Sequence, residues 1–271
     1  MIDGDLVFAV GVKGDLHCLS LAKGEVIWKT NLDQAHGAAP FFFGRGGSPL
    51  VLGEKLIVNV GGEFCVGAFA KRSGELLWTN RHEWHASYAS PVPARIHGEE
   101  RVLVFAGGMT DPPVGGLLSI DPTNGRTAAV FPWRSRMFTS VNAASPVVVG
   151  NAAFLTESYT EGGVLVDFGA DGSAKPRWKA PQFGSQFTTP LAHEGYLYGV
   201  AGSGGTEIVC HEIATGREMW RDSMELENAR LGRAGLLHVD GAFLCIGAQG
   251  TLLWLDLGPK GAKILSQAQL F

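Results

Sequence analysis

Long apolar runs are missing from this chain of 271 residues; none approaches the roughly 18 needed to cross a bilayer as a helix. Cysteine is scarce, with four residues at 18, 65, 210 and 245 and no Cys-x-x-Cys, which argues against zinc-ribbon and thioredoxin-type chemistry. Each lies in an apolar stretch, where a buried cysteine serves as a small side chain. Basic charge is not in excess: 22 Lys and Arg face 26 Asp and Glu, a net charge of −4. That gives no support for a nucleic-acid binder. The start, Met1 to Asp5, lacks the basic and apolar regions of a signal peptide. There is no His-Glu-x-x-His, the histidines are scattered, and no convergent set of acids can be assigned, so no metal site or catalytic residue is expected. Glu157 is the best single carboxylate near a strand end.

What the chain has is glycine, 38 of them, and a hairpin that recurs. Residues 207–220 read as a strand, a tight turn at Ala214-Thr215-Gly216 and a second strand closed by Trp220. A small residue is followed six places later by Gly and ten places later by Trp at Cys18, Gly24 and Trp28, at Ala68, Gly74 and Trp78, and at Cys210, Gly216 and Trp220. Weaker copies carry Ser119 with Gly125 and Val166 with Gly172, and a last one ends at Gly261. The turn glycines are 44 to 51 residues apart, a period that fits four-stranded propeller blades. A second marker keeps the same phase. Ser48-Pro49, Ser90-Pro91, Ser145-Pro146 and Thr189-Pro190 each precede an apolar run. Proline at the first residue of a strand removes no ladder hydrogen bond, so these pairs mark strand starts.

The pattern small-x-x-x-x-(Thr/Ser)-Gly-x-x-x-Trp resembles the tryptophan-docking repeat of quinoprotein-type (PQQ-like) β-propellers, a family that includes the non-catalytic outer-membrane assembly factors of BamB type. The resemblance covers nearly the whole chain. It implies that Trp28, Trp78 and Trp220 dock on a neighbouring blade and that Gly24, Gly74 and Gly216 make the turns they meet. Ala129 and Pro176 stand where the repeat has Trp; Trp133 and Trp178 are candidates to compensate in a shifted register. Catalytic quinoprotein alcohol dehydrogenases usually carry an adjacent Cys-Cys pair against the cofactor, and this chain has none.

The expected fold is all-β, a single propeller domain over 1–271 with about six blades of four antiparallel strands. Counting back from Gly24 leaves no room for an opening strand in the first blade, and 262–266 fits a closing strand with 267–271 trailing. Those ends suggest part of a ring of seven or eight blades; the alternative is a closed six-bladed ring that borrows a terminal strand.

Functional content is concentrated in the linkers between blades, at about 29–47, 79–89, 134–144, 179–188 and 221–234. They hold nine Lys/Arg against five Asp/Glu. Arg45, His82, His85, Arg134, Arg136 and Arg233 (with Arg230 beside it), together with Phe43, Tyr88 and Phe187, are the candidate ligand-binding residues of a basic, aromatic mouth. Such a mouth suits a protein or extended peptide partner, or a small anionic ligand. The resemblance implies a periplasmic or cell-envelope binding or scaffold module with no cofactor; the alternative is a dehydrogenase using pyrroloquinoline quinone with calcium.

Overall fold

The computed structural model describes residues 1–38, 41–108, 111–202, 204–224 and 231–271. Arg230, with Met109 and Thr110 of the insert after the second strand of the third blade, lies outside them. The described residues form six four-stranded antiparallel sheets, each in simple chain order. The first comprises β1 (Ile2–Asp3), β2 (Leu6–Val10), β3 (Asp15–Ser20) and β4 (Val26–Asn31), followed by the one short helix α1 (Leu32–His36). The second comprises β5 (Leu50–Leu52), β6 (Lys55–Asn59), β7 (Val66–Ala70) and β8 (Leu76–Asn80); the third β9 (Val92–Ile96), β10 (Glu99–Ala106), β11 (Gly116–Ile120) and β12 (Thr127–Pro132). The fourth comprises β13 (Val147–Val149), β14 (Ala152–Glu157), β15 (Gly162–Phe168) and β16 (Ala174–Ala180). The fifth comprises β17 (Leu191–His193), β18 (Tyr196–Ala201), β19 (Glu207–Glu212) and β20 (Glu218–Asp222); the sixth β21 (Gly235–Val239), β22 (Ala242–Ile246), β23 (Thr251–Gly258) and β24 (Gly261–Gln269).

Two expectations about the ends are corrected. The first sheet has an opening strand: Gly4, at φ +57°, turns the chain so that Ile2 and Asp3 pair with Val7 and Leu6. A two-residue strand needs far less chain than the count back from Gly24 allowed. The closing strand is also longer than 262–266, because Gln267, Ala268 and Gln269 pair with Leu253, Leu252 and Thr251.

The chain separates into two compact units, one of residues 1–146 with 168–175, the other of residues 147–167 with 176–271. The middle strands of the second to fifth sheets are buried on both faces, whereas burial alternates along those of the first and sixth. The first unit's core includes Leu6, Phe8, Leu16, Leu56, Phe69, Val102 and Leu118, and the second's Phe154, Leu197, Tyr198, Phe243 and Leu253. Apolar side chains on both faces of a sheet require neighbouring sheets to cover both. Pro49, Pro91, Pro146 and Pro190 each stand immediately before the first strand of a sheet. Those strands lie side by side, β5 against β9 in the first unit and β13 against β17 against β21 in the second. In the first unit the serine of the marker has its own task. The Ser48 N–H donates to Ser90 Oγ at 2.9 Å and the Ser90 N–H to Ser145 Oγ at 3.0 Å, stitching sheet to sheet.

The tryptophans join sheets on the other side. Trp28 Nε1–H donates to Lys71 O at 3.0 Å and Trp78 Nε1–H to Pro122 O at 2.9 Å in the first unit. Trp178 donates to Ile213 O and Trp220 to Gly258 O, each at 2.8 Å, in the second. All four indoles are partly buried, and every acceptor lies three residues before a turn glycine. A Cβ on Gly74 would come within 2.8 Å of Trp28, on Gly125 within 2.5 Å of Trp78, and on Gly216 within 2.5 Å of Trp178. Glycine is thus required twice over, for the positive φ and for the ring above it. Gly24 has the turn conformation, φ +70°, but nothing within 4 Å of an added Cβ. Trp178 takes up the missing role in the fourth sheet from its shifted position. Trp133 does not; it is buried against Phe105 of its own sheet, with ring centroids 5.8 Å apart.

Gly24 and Gly216 share nearly the same φ, +70° and +77°, yet differ in their surroundings. Gly24→Ala should cost about 1 kcal/mol from backbone strain alone, and Gly216→Ala at least about 2 kcal/mol more because the Trp178 ring must give way. Urea unfolding of the two variants checks this; equal losses would show that the ring contact contributes nothing.

Candidate binding face

The loops that follow each fourth strand carry the residues expected at a basic mouth. In the first unit the arrangement begins with α1. Asn31 Oδ1 accepts the Gln34 N–H at 2.9 Å as its N-cap and Gly37, at φ +60°, ends it. This single turn of helix fixes Asp33, whose Oδ1 lies 2.6 Å from the Arg45 guanidinium. Arg45 is only 8% exposed. It also donates to Asn59 O at 3.3 Å and lies over the Phe41 ring, 4.7 Å from its centroid. The space left around it, lined by Val10, Phe41, Val58, Asn59 and Ser87, is about 10 Å³, room for no more than a water. Arg45 therefore braces the loop and offers no charge to a ligand.

Arg134 is engaged in the same way. Its guanidinium donates to the carbonyls of Gly107, Ser135, Gly108 and Ser140 at 2.6 to 3.1 Å. Gly107 and Gly108 in turn donate their N–H groups to His85 O and Ala86 O, so Arg134 ties its own loop to the 85–88 segment. The His82 ring lies tilted against Trp84, centroids 4.5 Å apart, and accepts the Trp84 N–H at Nδ1. Burial lowers its pKa, partly opposed by Glu83. His85 and Arg136 are exposed. Tyr88 gathers the aromatics: its ring is 5.2 Å from Phe41 and 6.2 Å from Phe43, and its hydroxyl accepts the Phe43 N–H at 3.3 Å. In the second unit, Arg233 sits over Phe187 at 5.4 Å, both exposed.

Thus the first unit brings Arg45, Phe43 and Tyr88 into one connected group and links Arg134 to it through backbone. It leaves His85 and Arg136 exposed, while the second unit pairs Arg233 with Phe187. The sequence reading missed Asp33, although Asn31, an acidic residue in the next turn and Gly37 together form a helix signal. Phe42, of the same linker but outside the candidate ligand-binding set, is 76% exposed beside Phe43 at 67%, the two rings edge to face at 4.8 Å.

Among the described residues no group of three or more His, Cys, Asp or Glu could hold a metal ion. The four cysteines are buried and free. Burial pushes the thiols of Cys65 and Cys245 up to about 12 and that of Cys210 to about 11, far from thiolate reactivity. Among the described residues no helix is long and apolar enough to cross a membrane.

A family model described as the outer membrane protein assembly factor BamB, of the PQQ_2 type, matches residues 1–222. The chain belongs to this BamB-type family of PQQ-like propellers. No curated protein matches it. Among solved structures it is similar to BamB from Moraxella catarrhalis, at 16% identity and a TM-score of 0.65, covering 98% of this chain and 71% of that one. A europium-containing methanol dehydrogenase gives 12% identity and a TM-score of 0.68, with coverage of 99% and 68%. The computationally designed Ika8 protein gives 9% and 0.63, with coverage of 99% and 85%. At these identities the likeness establishes the β-propeller fold, which BamB-type and quinone-dependent proteins share.

Two outcomes follow from this geometry. Arg45→Ala leaves Asp33 without its cation and should cost about 2–3 kcal/mol in urea unfolding, whereas exposed Arg136→Ala should change stability by less than about 0.5 kcal/mol; similar losses would contradict the division into brace and free cation. Burial also lowers the pKa of His36, His82 and His211 below the ordinary 6.5. Their neutral forms stabilise the fold above that value, and the stability is lost as pH falls through the lowered folded values. The urea midpoint should therefore decline from about pH 6.5 downward, and His82→Phe should flatten the decline; an identical slope in that variant would contradict the assignment for His82.

Proposed function

We propose that this propeller is a non-catalytic binding module of the cell envelope that holds a polypeptide partner on the loop face of its first unit. The observation that carries the reading is the exposure of Phe42 and Phe43 on a loop fixed on both sides. Gly44 packs so closely on Val12 that an added Cβ would lie 2.9 Å from the valine Cβ. The Arg45 N–H donates to Val12 O at 3.1 Å, and Tyr88 holds the Phe43 backbone. Burying a phenyl ring is worth about 2 kcal/mol, and rigid exposed aromatics are the groups that dominate protein interfaces. Val12, Met137 and Phe138, also exposed on loops of this unit, extend the apolar character.

Charge supports the same partner class over a small anion. With Arg45 and Arg134 engaged internally, exposed Arg136 offers positive charge without a fixed anionic pocket, which suits an extended acidic segment lying across exposed aromatics. The family's description as an outer membrane assembly factor supports the envelope location. Quinone-dependent oxidation remains the competing activity within the same fold.

A photo-crosslinking side chain placed at Phe43 in cells that produce the protein should give a discrete adduct with a polypeptide. Phe42→Ser with Phe43→Ser should weaken binding of that polypeptide at least about tenfold without lowering the melting temperature. Reconstitution with pyrroloquinoline quinone and calcium should give no stoichiometric quinone spectrum and no dye-linked alcohol oxidation. A stoichiometric quinone spectrum with turnover, or no adduct at position 43, would overturn the proposal.

A further inference from the structure

The ladder register identifies a place in the first unit where an indole is missing. Trp28 pairs with Cys18 and Trp78 with Ala68, in each case just before a β-bulge; in the second unit Trp220 pairs with Cys210 in the same way. The corresponding pair in the third sheet is Ala129 with Ser119, again just before a bulge. Ala129 therefore occupies the tryptophan position. The turn glycine on the adjoining hairpin, Gly172, lies uncovered: an added Cβ would meet only Ala128 O, at 3.0 Å. Trp133 packs elsewhere, on Phe105.

The result is a cleft of about 290 Å³, all of it within the first unit, whose walls include Ile96, His97, Arg101, Ser119, Ala129 and Phe168. Three features suit it to a planar ring. Its size is ample, since a cavity of about 150 Å³ suffices for benzene. The adjoining hairpin is tied to the third sheet by His97 instead, whose Nε2 lies 2.7 Å from Phe168 O. That carbonyl acceptor requires the proton on Nε2, and the bond holds the two walls together with the space between them open. Arg101 is likewise occupied, by the Glu99 carboxylate and by Glu100 O. The Ser119 side chain is the third feature. It is 2% exposed and lines the cleft, yet its hydroxyl has no hydrogen-bond partner among the described residues. Because it faces the open cleft, this hydroxyl is free to accept from or donate to a polar group on whatever enters.

We propose that this vacated tryptophan position between the third sheet and the 168–175 hairpin is a binding site for a planar, indole-type aromatic ring bearing one N–H or O–H group. The ring stacks over Gly172 beside Ala129, with its polar hydrogen directed to Ser119. The site is separate from the aromatic loop face and does not depend on its function.

The test is titration of the whole chain with indole and, separately, with N-acetyltryptophanamide, followed by ¹H–¹⁵N correlation spectra. Saturable shifts confined to the amides around Ser119, Ala129 and Gly172 are expected. Binding of indole alone would assign a free small molecule, and binding of both compounds a ring carried on a peptide. Ala129→Trp fills the cleft from within and should raise the melting temperature while weakening indole binding at least about tenfold. Ala129→Leu, a smaller change, should weaken binding in the same direction if the tryptophan variant does not fold. Shifts that do not saturate, shifts located elsewhere, or unchanged affinity in a folded Ala129 variant would overturn the proposal.

Discussion

An indole laid over the turn glycine of the next sheet is the contact on which this structure depends. The ring covers a position where any Cβ would collide, and its N–H reaches the carbonyl three residues earlier in the same turn. Each contact combines apolar burial worth about 2 kcal/mol with a hydrogen bond worth about 1 kcal/mol. It also fixes geometry: the donor and the glycine must come from hairpins one blade apart. The period of 44 to 51 residues expresses that requirement, since each blade must be long enough to bring its own turn beneath the preceding ring. The serine–proline segments act before the first strands, where Ser90 and Ser145 hydroxyls accept from the preceding marker and link the Ser48, Ser90 and Ser145 segments of the first unit.

With the sheets held in this way, the connecting loops can be rigid without being regular. Arg45 and Arg134 show how that is done. Both spend their hydrogen-bonding capacity inside the molecule, one on Asp33 of a five-residue helix and one on loop carbonyls. Their braces leave Phe42 and Phe43 displayed to solvent, an arrangement suited to recognition of an apolar partner surface. A guanidinium in a loop is not by itself a ligand site; its partners decide whether its charge is available.

The fold was largely legible in the sequence because both of its markers are covalent in spacing. Gly74 and Gly216 need positive φ, and prolines before β5, β9, β13 and β17 mark where strands begin. What escaped was set by tertiary partners. Nothing in the local sequence distinguishes Arg45, buried on Asp33, from Arg136, exposed. Trp133 and Trp178 look equally displaced from the repeat, yet one bonds to Ile213 O and the other turns into its own sheet against Phe105. The two-residue strand β1 fell below any count based on full-length strands. Ala129 was visible as a departure from the repeat, but that it leaves a cleft rather than a collapsed gap depends on His97 holding Phe168 O.

Hydrogen exchange of the indole N–H protons, followed by NMR, tests the central role of these contacts most directly. The Nε1–H protons of Trp28, Trp78, Trp178 and Trp220 should exchange as slowly as the amides of the buried middle strands, because opening any of them requires parting two sheets. If these four exchange as fast as a solvent-exposed indole while the middle-strand amides stay protected, the indole contacts do not hold the blades together.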